Sequence, residues 1–282
     1  MKLLSSDAIR RCLIADPGKV ILSADFDQVE LRVAAGLSGE SILIEAAKRG
    51  DSLHKTTAIE LFGIEHTADQ YRYAKNVTFG WLFGGGAGTL AEQAGIPFAQ
   101  AQDIVSRFKN AYPAMAAYKR REQERVLRTA LSPAAYQQYR SLLGRMFDYR
   151  SDTAQGQAAR KAIQAEIRRL CHGRKGYAIT PYGRQLIVDA DKPYAVVNYT
   201  VQSTARDIMA EALLRVMADD ELEPTVLLPI HDELLGQADR GKAEYIAERY
   251  GEVMSTEFMG VPITASGKVY GKSWGHGYRS KN

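Results

Sequence analysis

The sequence has few cysteines and no long run of apolar residues. It contains two cysteines, Cys12 and Cys171, and this number at this spacing predicts neither a disulfide framework nor a cysteine-based metal cluster. We therefore expect a reducing compartment. The N-terminus lacks the apolar core of a signal peptide, and no stretch approaches the roughly 20 apolar residues of a membrane span. These absences predict a cytoplasmic protein without a membrane partner.

The composition is that of an ordinary globular protein with a small positive charge. Of the 282 residues, 45% are hydrophobic and 25% are charged, so one large or two modest domains with a sizeable core are expected. The formal net charge of +4 at pH 7 is compatible with a nucleic-acid partner and equally with a mildly basic soluble protein. Charge alone therefore assigns no function.

Periodicity and turn signals predict a mixture of helices and strands. Strands are predicted over 20–26 and 261–269, and hairpins over 177–188 and 225–235. Residues 28–49 are predicted to be helical with a break at Ser38. Further helices are predicted over 51–62, 67–83, 97–110 and 194–218, with others starting at Pro113, Ser132 and Asp152–Thr153 and a last one over 239–258. The glycine-rich segment 84–88 lacks the strand–loop–helix context of a phosphate-binding loop and is interpreted as a flexible helix terminus. The pattern predicts an α+β fold, an antiparallel sheet with helices on one side.

Two acidic residues stand near the ends of strongly apolar predicted strands. At Asp25 and Asp232 a charge is costly unless it is paired or binds a metal. Two strands that deliver carboxylates to one sheet edge would form the oxygen-ligand site that Mg²⁺ prefers. One such acid alone is more often a turn residue at a solvated edge. The pair, together with the next motif, favours a two-metal phosphoryl-transfer site.

A lysine and aromatic residues recur at helical spacing in the segment 67–83. Tyr71, Lys75, Phe79 and Phe83 stand four residues apart and form one stripe, with Arg72 beside it. Such a face suits a nucleoside triphosphate, because cations bind phosphates and an aromatic ring packs on a base or sugar. Taken alone, such a stripe is more often the buried aromatic face of a helix with a solvated lysine.

Three segments resemble, in order, the motifs of the DNA polymerase I family. Residues 25–32 (DFDQVELR) resemble motif A, 72–84 resemble motif B on the long helix of the fingers, and 230–233 (IHDE) resemble motif C. Residues 198–205 (NYTVQSTA) resemble the palm helix that precedes motif C. The resemblance covers nearly the whole chain apart from 130–175, and it implies a template-directed DNA polymerase, possessing a palm and fingers.

The resemblance implies roles for four residues at the reacting phosphates. Asp25 and Asp232 would hold two Mg²⁺ ions, with Mn²⁺ as a substitute, and Glu233 would support the metal site or the primer end from behind. Lys75 would bind the triphosphate and protonate the pyrophosphate leaving group. The implied reaction is attack of a primer 3′-hydroxyl on the α-phosphate of a dNTP, with release of pyrophosphate.

The resemblance also implies contacts to the nucleotide and to DNA. Glu30 would exclude a ribose 2′-hydroxyl as a steric gate, and His54 would touch the phosphates. The full nucleotide-binding set is Arg72, Phe79, Phe83, His54, Glu30 and Gln28, and the primer–template set is Asn198, Gln202, His231 and Arg184.

Three positions depart from the family pattern. Tyr71 stands where the family usually has an arginine, and we hypothesise that Arg72 replaces that arginine from the neighbouring helical position. Phe83 stands where the family usually has tyrosine, and Tyr194 stands where an arginine often contacts the primer–template. These departures bear on fidelity and nucleotide affinity more than on the type of reaction.

The resemblance predicts four segments and two absent domains. The segments are palm residues 1–50, fingers 51–128, a basic helical insertion 129–176, and palm residues 177–282. We expect the thumb and exonuclease domains to be absent from this chain, which would then be either a truncated or split polymerase or one that a second chain completes. Cations of the insertion would contact phosphates or form an ordinary solvated face; they are Lys161, Arg168, Arg169, Arg174 and Lys175.

Two other functions are compatible with parts of the sequence. A single-subunit phage-type RNA polymerase shares the palm and the order of motifs, but Glu30 and Glu233 favour DNA synthesis. A non-catalytic DNA-binding subunit of a split polymerase is favoured by the expected lack of a thumb. The retention of Asp25, Lys75 and Asp232 argues against that alternative. The resemblance places the protein in the cytoplasm of a bacterial or phage-infected cell.

Overall fold

The computed structural model describes residues 6–150 and 153–278, and these residues form two compact units. Unit 1 contains the described residues of 1–37, 43–53 and 204–282, and unit 2 contains those of 38–42 and 54–203. None of the helices in the described ranges is both long enough and apolar enough to cross a membrane.

Twelve α-helices and eight strands are found in the described residues. The helices are α1 Ser6–Cys12, α2 Val29–Ser38, α3 Ser41–Lys48, α4 Leu53–Phe62, α5 Ala68–Leu82, α6 Ala87–Ala94, α7 Phe98–Ala111, α8 Pro113–Ala130, α9 Pro133–Arg145, α10 Ala154–Cys171, α11 Ala195–Met217 and α12 Ala243–Met254. The strands are β1 Lys19–Phe26, β2 Lys175–Ile179, β3 Gln185–Asp189, β4 Val226–Ile230, β5 Glu233–Asp239, β6 Thr256–Phe258, β7 Val261–Ile263 and β8 Ala265–Gly271. The α+β prediction is confirmed.

Unit 1 is built on a four-stranded antiparallel sheet. Its strand order is β4-β5-β1-β8, and β1 pairs with both β5 and β8. Helix α12 packs against β1 and β8. The approach is close because glycine leaves room: a Cβ at Gly267 would lie 1.8 Å from the carbonyl oxygen of Ala247. The sheet core is formed by apolar strand residues such as Ile21, Leu22 and Leu235, which are fully buried.

Unit 2 is mainly helical and carries the β2–β3 hairpin. Helix α5 begins at a capping box: the Gln70 amide donates to Thr67 Oγ1 at 3.2 Å, and the Thr67 amide donates to Gln70 Oε1 at 2.8 Å. The hairpin packs on α8, where a Cβ at Gly176 would lie 2.1 Å from the Val126 carbonyl oxygen. Both predicted hairpins are therefore present, one in each unit.

Three sequence predictions about local structure are wrong. The helix predicted over 239–258 ends at Met254, and Thr256–Phe258 pairs instead with Val261–Ile263. The strand predicted over 261–269 is two strands, β7 and β8, in different sheets. Gly88 of the segment 84–88 lies inside α6 rather than in a flexible terminus. Of the predicted start of α10, Asp152 lies outside the described residues, and Thr153 caps the helix through the Gly156 amide at 3.1 Å.

Candidate active site

The structure brings Asp25, Asp232 and Glu233 together at one edge of the unit 1 sheet. Asp25 on β1 is the antiparallel pairing partner of Glu233, the first residue of β5. The amide of Phe26 donates to the carbonyl oxygen of Asp232 at 3.2 Å. The two acids that the sequence marked at separate strand ends are thus neighbours, because the β4–β5 turn lies beside the end of β1.

The electrostatics of Asp25 reflect this crowding of like charges. Its side chain is open to solvent on one side, yet partial loss of water and the charges of Asp232 and Glu233 raise the pKa of its carboxyl to about 7. Asp27 adds a smaller effect in the same direction. Carboxylates that repel one another in this way are stabilised by a cation placed between them.

The donor set at this edge fits magnesium rather than a metal held by protein ligands alone. In the parts of the chain that the structure describes, no group of three or more His, Cys, Asp or Glu side chains is arranged to enclose a metal ion. Mg²⁺ is commonly bound by one or two carboxylates, with waters and substrate phosphates completing the octahedron. Asp25 and Asp232 supply that number of carboxylates, so the site would be completed by a phosphate-bearing substrate.

Asp27, two residues after Asp25, has a structural role. Its two carboxylate oxygens accept hydrogen bonds from the hydroxyls of Thr264, at 3.1 Å, and Ser266, at 3.0 Å. Its amide donates to the Thr264 carbonyl at 2.9 Å. Because both of its oxygens bind hydroxyls, Asp27 ties the end of β1 to the start of β8.

Glu233 is buried and held by two aromatic side chains. Its Oε1 accepts hydrogen bonds from the Tyr270 hydroxyl at 3.2 Å and from Trp274 Nε1 at 3.3 Å, and the side chain is 8% exposed. The sequence assigned no role at the site to either Tyr270 or Trp274. Since Glu233 is fixed behind Asp25, it is placed to support the site rather than to reach solvent.

Two residues beside the acids have left-handed backbone. His231 (φ 58°) forms the β4–β5 turn, and its Nδ1 lies 2.8 Å from Asp232 Oδ1. That hydrogen bond is the main cause of a raised His231 pKa, and the charge of Glu30 adds to it, so Glu30 is also near this turn. Gln28 (φ 53°) immediately precedes α2, and its carbonyl accepts from the amides of residues 31 and 32. Non-glycine residues with positive φ are uncommon and are often found at functional sites.

In unit 2 the structure groups three of the predicted nucleotide-binding residues, with Lys75 nearby. The rings of His54 and Phe79 are 5.2 Å apart, and those of Phe79 and Phe83 are stacked at 5.7 Å. Burial, with a smaller effect of the Lys75 charge, lowers the pKa of His54 to about 4. Lys75 is exposed. His54 is therefore neutral near pH 7 and would contact a phosphate as a hydrogen-bond donor rather than as a cation.

Arg72, the hypothesised replacement for the family arginine at residue 71, is already paired within α5. Arg72 is exposed, and its guanidinium is bonded to Asp69 at 2.9 Å and lies over the Tyr73 ring at 5.7 Å. Tyr71 stacks on His66 at 6.2 Å. Arg72 thus holds a carboxylate of its own helix, so a phosphate would have to compete with Asp69.

Tyr194, which stands where the family often has an arginine, packs against Gly84 just after α5. Gly84 has φ +88°, and a Cβ at this position would lie 2.3 Å from Cδ2 of Tyr194. The Tyr194 ring therefore occupies the space that a side chain at residue 84 would need. Both the positive φ and this contact require glycine at residue 84.

The predicted primer–template residues of unit 2 lie on two elements. Asn198 and Gln202 stand one turn apart on α11, and Arg184 is an exposed residue at the β2–β3 turn. Asn198 Oδ1 is buried, with no hydrogen-bond partner among the described residues, and Gln202 is exposed. The fourth member of this set, His231, belongs to unit 1.

Lys119 of α8 is a contact of α5 that the sequence did not indicate. Its ammonium group lies 4.3 Å from the centre of the Trp81 ring and donates a hydrogen bond to the Trp81 carbonyl oxygen. That carbonyl is in the last turn of α5, where backbone acceptors lack intrahelical partners. Loss of water, with a smaller effect of Lys109, lowers the pKa of Lys119 to about 8. Lys119 therefore stabilises the end of α5 while its own charge is partly desolvated.

Replacing Lys119 by methionine should change how stability depends on pH. The Lys119 pKa is about 8 in the folded protein and near 10.5 in the unfolded chain. Between these values the unfolded chain binds more protons, so this lysine makes stability rise with pH. Raising the pH from 7.5 to 10 should therefore stabilise the wild type by roughly 2 kcal/mol more than it stabilises Lys119→Met. Urea unfolding across this range measures it.

The exposed Lys192 provides the control. Lys192→Met should follow the wild-type stability at every pH. If the free energies of unfolding of Lys119→Met and the wild type change with pH in parallel, the Lys119 ammonium is not desolvated against Trp81.

Comparison with known proteins identifies similar sequences along nearly the whole chain. A family model described as DNA polymerase family A matches residues 2–276. A DNA polymerase of Mycobacterium phage D29 is 35% identical over 272 residues, which are 96% of this chain and 37% of that protein. A thermostable DNA polymerase I of Thermus aquaticus is 28% identical over 94% of this chain and 28% of that protein. The chain thus spans about a third of the length of these relatives.

A solved structure has the same fold. It is the POL domain of Pol1 from M. smegmatis, in complex with DNA primer-template and dNTP. The TM-score is 0.71 at 22% identity, and the match covers 99% of this chain and 44% of that one.

Proposed function

The chain belongs to DNA polymerase family A, and on that premise we propose that it catalyses template-directed DNA synthesis. In the proposed reaction a dNTP is added to the 3′-hydroxyl of a primer and pyrophosphate is released. The observation that carries the proposal is the meeting of Asp25, near the end of β1, with Asp232 in the adjacent β4–β5 turn, with Glu233 fixed behind them. A carboxylate pair at a sheet edge that is open to solvent on one side suits a phosphate-bearing substrate.

We propose that Asp25 and Asp232 hold two Mg²⁺ ions, for which Mn²⁺ can substitute. Members of this family generally depend on metal ions. When bound, two such ions neutralise phosphate charge and hold the attacking and leaving oxygens in line. In this proposal Glu233 supports Asp25 from behind, and the His231 ring orients the Asp232 carboxylate through its 2.8 Å contact.

The nucleotide is assigned to residues of unit 2. Lys75 binds the triphosphate and donates a proton to the leaving pyrophosphate, while Phe79 and Phe83 provide an aromatic surface for the sugar and base. His54, neutral at pH 7, donates a hydrogen bond to a phosphate oxygen. The grouping of His54 and Phe79 at 5.2 Å, with Lys75 close enough to lower the His54 pKa, supports this assignment.

Further parts of the proposal concern DNA and the cell. Asn198, Gln202, His231 and Arg184 are proposed to contact the primer–template, unit 1 to act as palm and much of unit 2 as fingers. The phage and bacterial relatives support the cytoplasm of a bacterial or phage-infected cell as the compartment. A second chain that supplies a thumb or an exonuclease stays a prediction from the sequence.

The proposed reaction is tested with four primed templates that differ only in the first templating base. Each template, supplied with all four dNTPs and Mg²⁺, should direct addition of the complementary nucleotide. Addition of the same nucleotide on all four templates would contradict template direction. No addition by a folded protein that binds the DNA would instead favour a non-catalytic DNA-binding subunit.

Replacing Glu30 by alanine should weaken discrimination against ribonucleotides. If Glu30 excludes the 2′-hydroxyl, its removal should lower the ratio of dNTP to NTP incorporation efficiency (kcat/KM) by roughly 10- to 200-fold, a range typical for the loss of one packing contact. Single-nucleotide incorporation measures the ratio. The exposed acid Glu45, paired with Lys48, is the control, and Glu45→Ala should leave it unchanged. A wild type that prefers NTPs would support a phage-type RNA polymerase.

A further inference from the structure

Helix α10 exposes a face that is cationic and nearly free of acids. The helix packs into unit 2 through Ile163 and Cys171, which are buried, and through Ile167 and Leu170, which are partly buried. At 100° per residue, the opposite side of the helix carries exposed side chains. They are Lys161, Arg168 and Arg169, with Ala158, Ala162 and Ala165 between them.

The charges on this face are not matched by nearby acids. Among the described residues no ion pair includes Lys161, Arg168 or Arg169, and Glu166 is the only acid in α10. Arg174 and Lys175, the exposed cations that follow the helix, likewise form no ion pair among the described residues. Lys175 is the less available of these two, because it stands opposite Asp189 across the β2–β3 hairpin.

Helix α8 of the same unit provides a contrast, because two of its arginines are paired with acids of the same helix. Arg125 bonds to Glu122 at 3.0 Å, and Arg128 bonds to Glu124 at 2.7 Å. Mixed signs of this kind keep a surface soluble without creating a one-sign field. The exposed side of α10 departs from that pattern, since it concentrates one sign of charge.

We propose that the exposed face of α10 is a binding site for the phosphodiester backbone of nucleic acid. Lys161 and Arg168 are seven residues apart, which places their origins about 10 Å apart along the helix, or about three base-pair steps of a duplex. The alanines between the cations have no long side chain, so they allow a sugar–phosphate strand to approach. Contacts of this type set affinity and register without reading sequence.

Arg160, although also in α10, is not part of the site. Its guanidinium donates to the carbonyl oxygens of Met146, at 3.1 Å, and Tyr149, at 3.2 Å. It therefore holds residues 146–149, which follow α9, against α10. Arg160 is thus a structural cation, whereas Lys161, Arg168 and Arg169 are left exposed.

The salt dependence of DNA binding tests the site directly. The triple variant Lys161→Gln/Arg168→Gln/Arg169→Gln is compared with the wild type in titrations against a blunt duplex, a primed template and a single strand, with metal chelated and no dNTP. Each lost phosphate contact should reduce the slope of log K against log salt by about 0.9 on duplex DNA and about 0.7 on a single strand. The triple variant should therefore lose about two to three units of slope on at least one DNA.

A matched control removes the same net charge elsewhere. Arg107 and Arg128 are exposed, Arg249 is partly exposed, and all three are paired with acids, so the triple Arg107→Gln/Arg128→Gln/Arg249→Gln should keep the wild-type slope to within about one unit. The charge-preserving variant Lys161→Arg/Arg168→Lys/Arg169→Lys should also retain it, and this keeps the test valid if the glutamine variant folds poorly. Equal slopes for the α10 triple variant and the wild type on all three DNAs would overturn the proposal. The DNA with the largest loss identifies the form that is bound.

The inference rests on DNA being the substrate in the proposed function, but the two can fail separately. They are separated by measuring primer extension by the wild type beside the salt titrations. A changed slope with no primer extension by the wild type would contradict the proposed reaction and support the site. Normal extension with unchanged slopes would contradict the site alone.

Discussion

Replacing Asp25 by asparagine should reduce the rate of nucleotide addition at saturating dNTP by about a thousandfold or more. The amide is nearly the same size but lacks the negative charge, so it cannot join Asp232 in holding a divalent ion. The stabilisation that a metal gives to a phosphoryl-transfer transition state amounts to several kcal/mol, and each 1.36 kcal/mol corresponds to about tenfold in rate. Rapid-quench primer extension measures the rate, and Mn²⁺ binding followed by electron paramagnetic resonance should weaken in parallel.

Asp27 provides the matched control for Asp25, because it is an acid at the same strand end. Its carboxylate is occupied by the hydroxyls of Thr264 and Ser266, so Asp27→Ser should cost about 1–3 kcal/mol of stability. The rate of addition by the folded variant should stay within a few-fold of the wild type. Equal losses of rate for the two variants would show that the metal site is not centred on Asp25.

Replacing Lys75 by alanine is expected to have the second largest effect. An exposed ammonium that contacts phosphate charge developing in the transition state is worth roughly 10²- to 10³-fold in rate, by analogy with the loss of one positioned donor. The apparent Kd for the dNTP should rise as well. Because the Lys75 charge is one of the two causes that lower the His54 pKa, this pKa should move up towards its ordinary value in the variant. Rapid-quench kinetics and proton NMR of His54 measure the two effects.

Arg72 is the control for this prediction. It lies on the same helix, three residues before Lys75, but its guanidinium is already bonded to Asp69. Arg72→Ala should therefore have the smaller effect of the two. A loss equal to that of Lys75→Ala would show that Arg72 leaves Asp69 for the triphosphate and takes the place of the arginine that the family usually has at residue 71. Unaltered kinetics for Lys75→Ala would contradict the assignment of α5 to the nucleotide.

The parts of the fold that the sequence predicted are those with local signals. The capping box at Thr67 and Gln70 marks the start of α5, and apolar runs mark β1 and β4. The boundary after α12 could not be predicted in this way, because Tyr250, Met254 and Phe258 continue the helical spacing past the end of the helix. What ends the helix is pairing between β6 and β7 around Met259 and Gly260, whose φ values of 49° and 77° suit a tight hairpin turn.

In the candidate site, too, residues with local sequence signals could be predicted and contacts between distant residues could not. Asp25 and Asp232 could be predicted because each stands near the end of an apolar strand, and the motifs fix their order. The partners of Glu233 could not, since Tyr270 and Trp274 follow it by 37 and 41 residues and meet it only through the sheet. The structural role of Asp27 depends in the same way on the pairing of β1 with β8.

The most direct test of the central claim is single-turnover primer extension with the wild-type chain and with Asp232→Ala. Enzyme in excess of a primed template is mixed with the correct dNTP and Mg²⁺, and the extended primer is quantified over time. The account predicts addition of the complementary nucleotide by the wild type and a loss of about a thousandfold or more in Asp232→Ala. Extension at the same rate by both proteins would contradict it, because the reaction would then not depend on the carboxylates at the edge of the sheet.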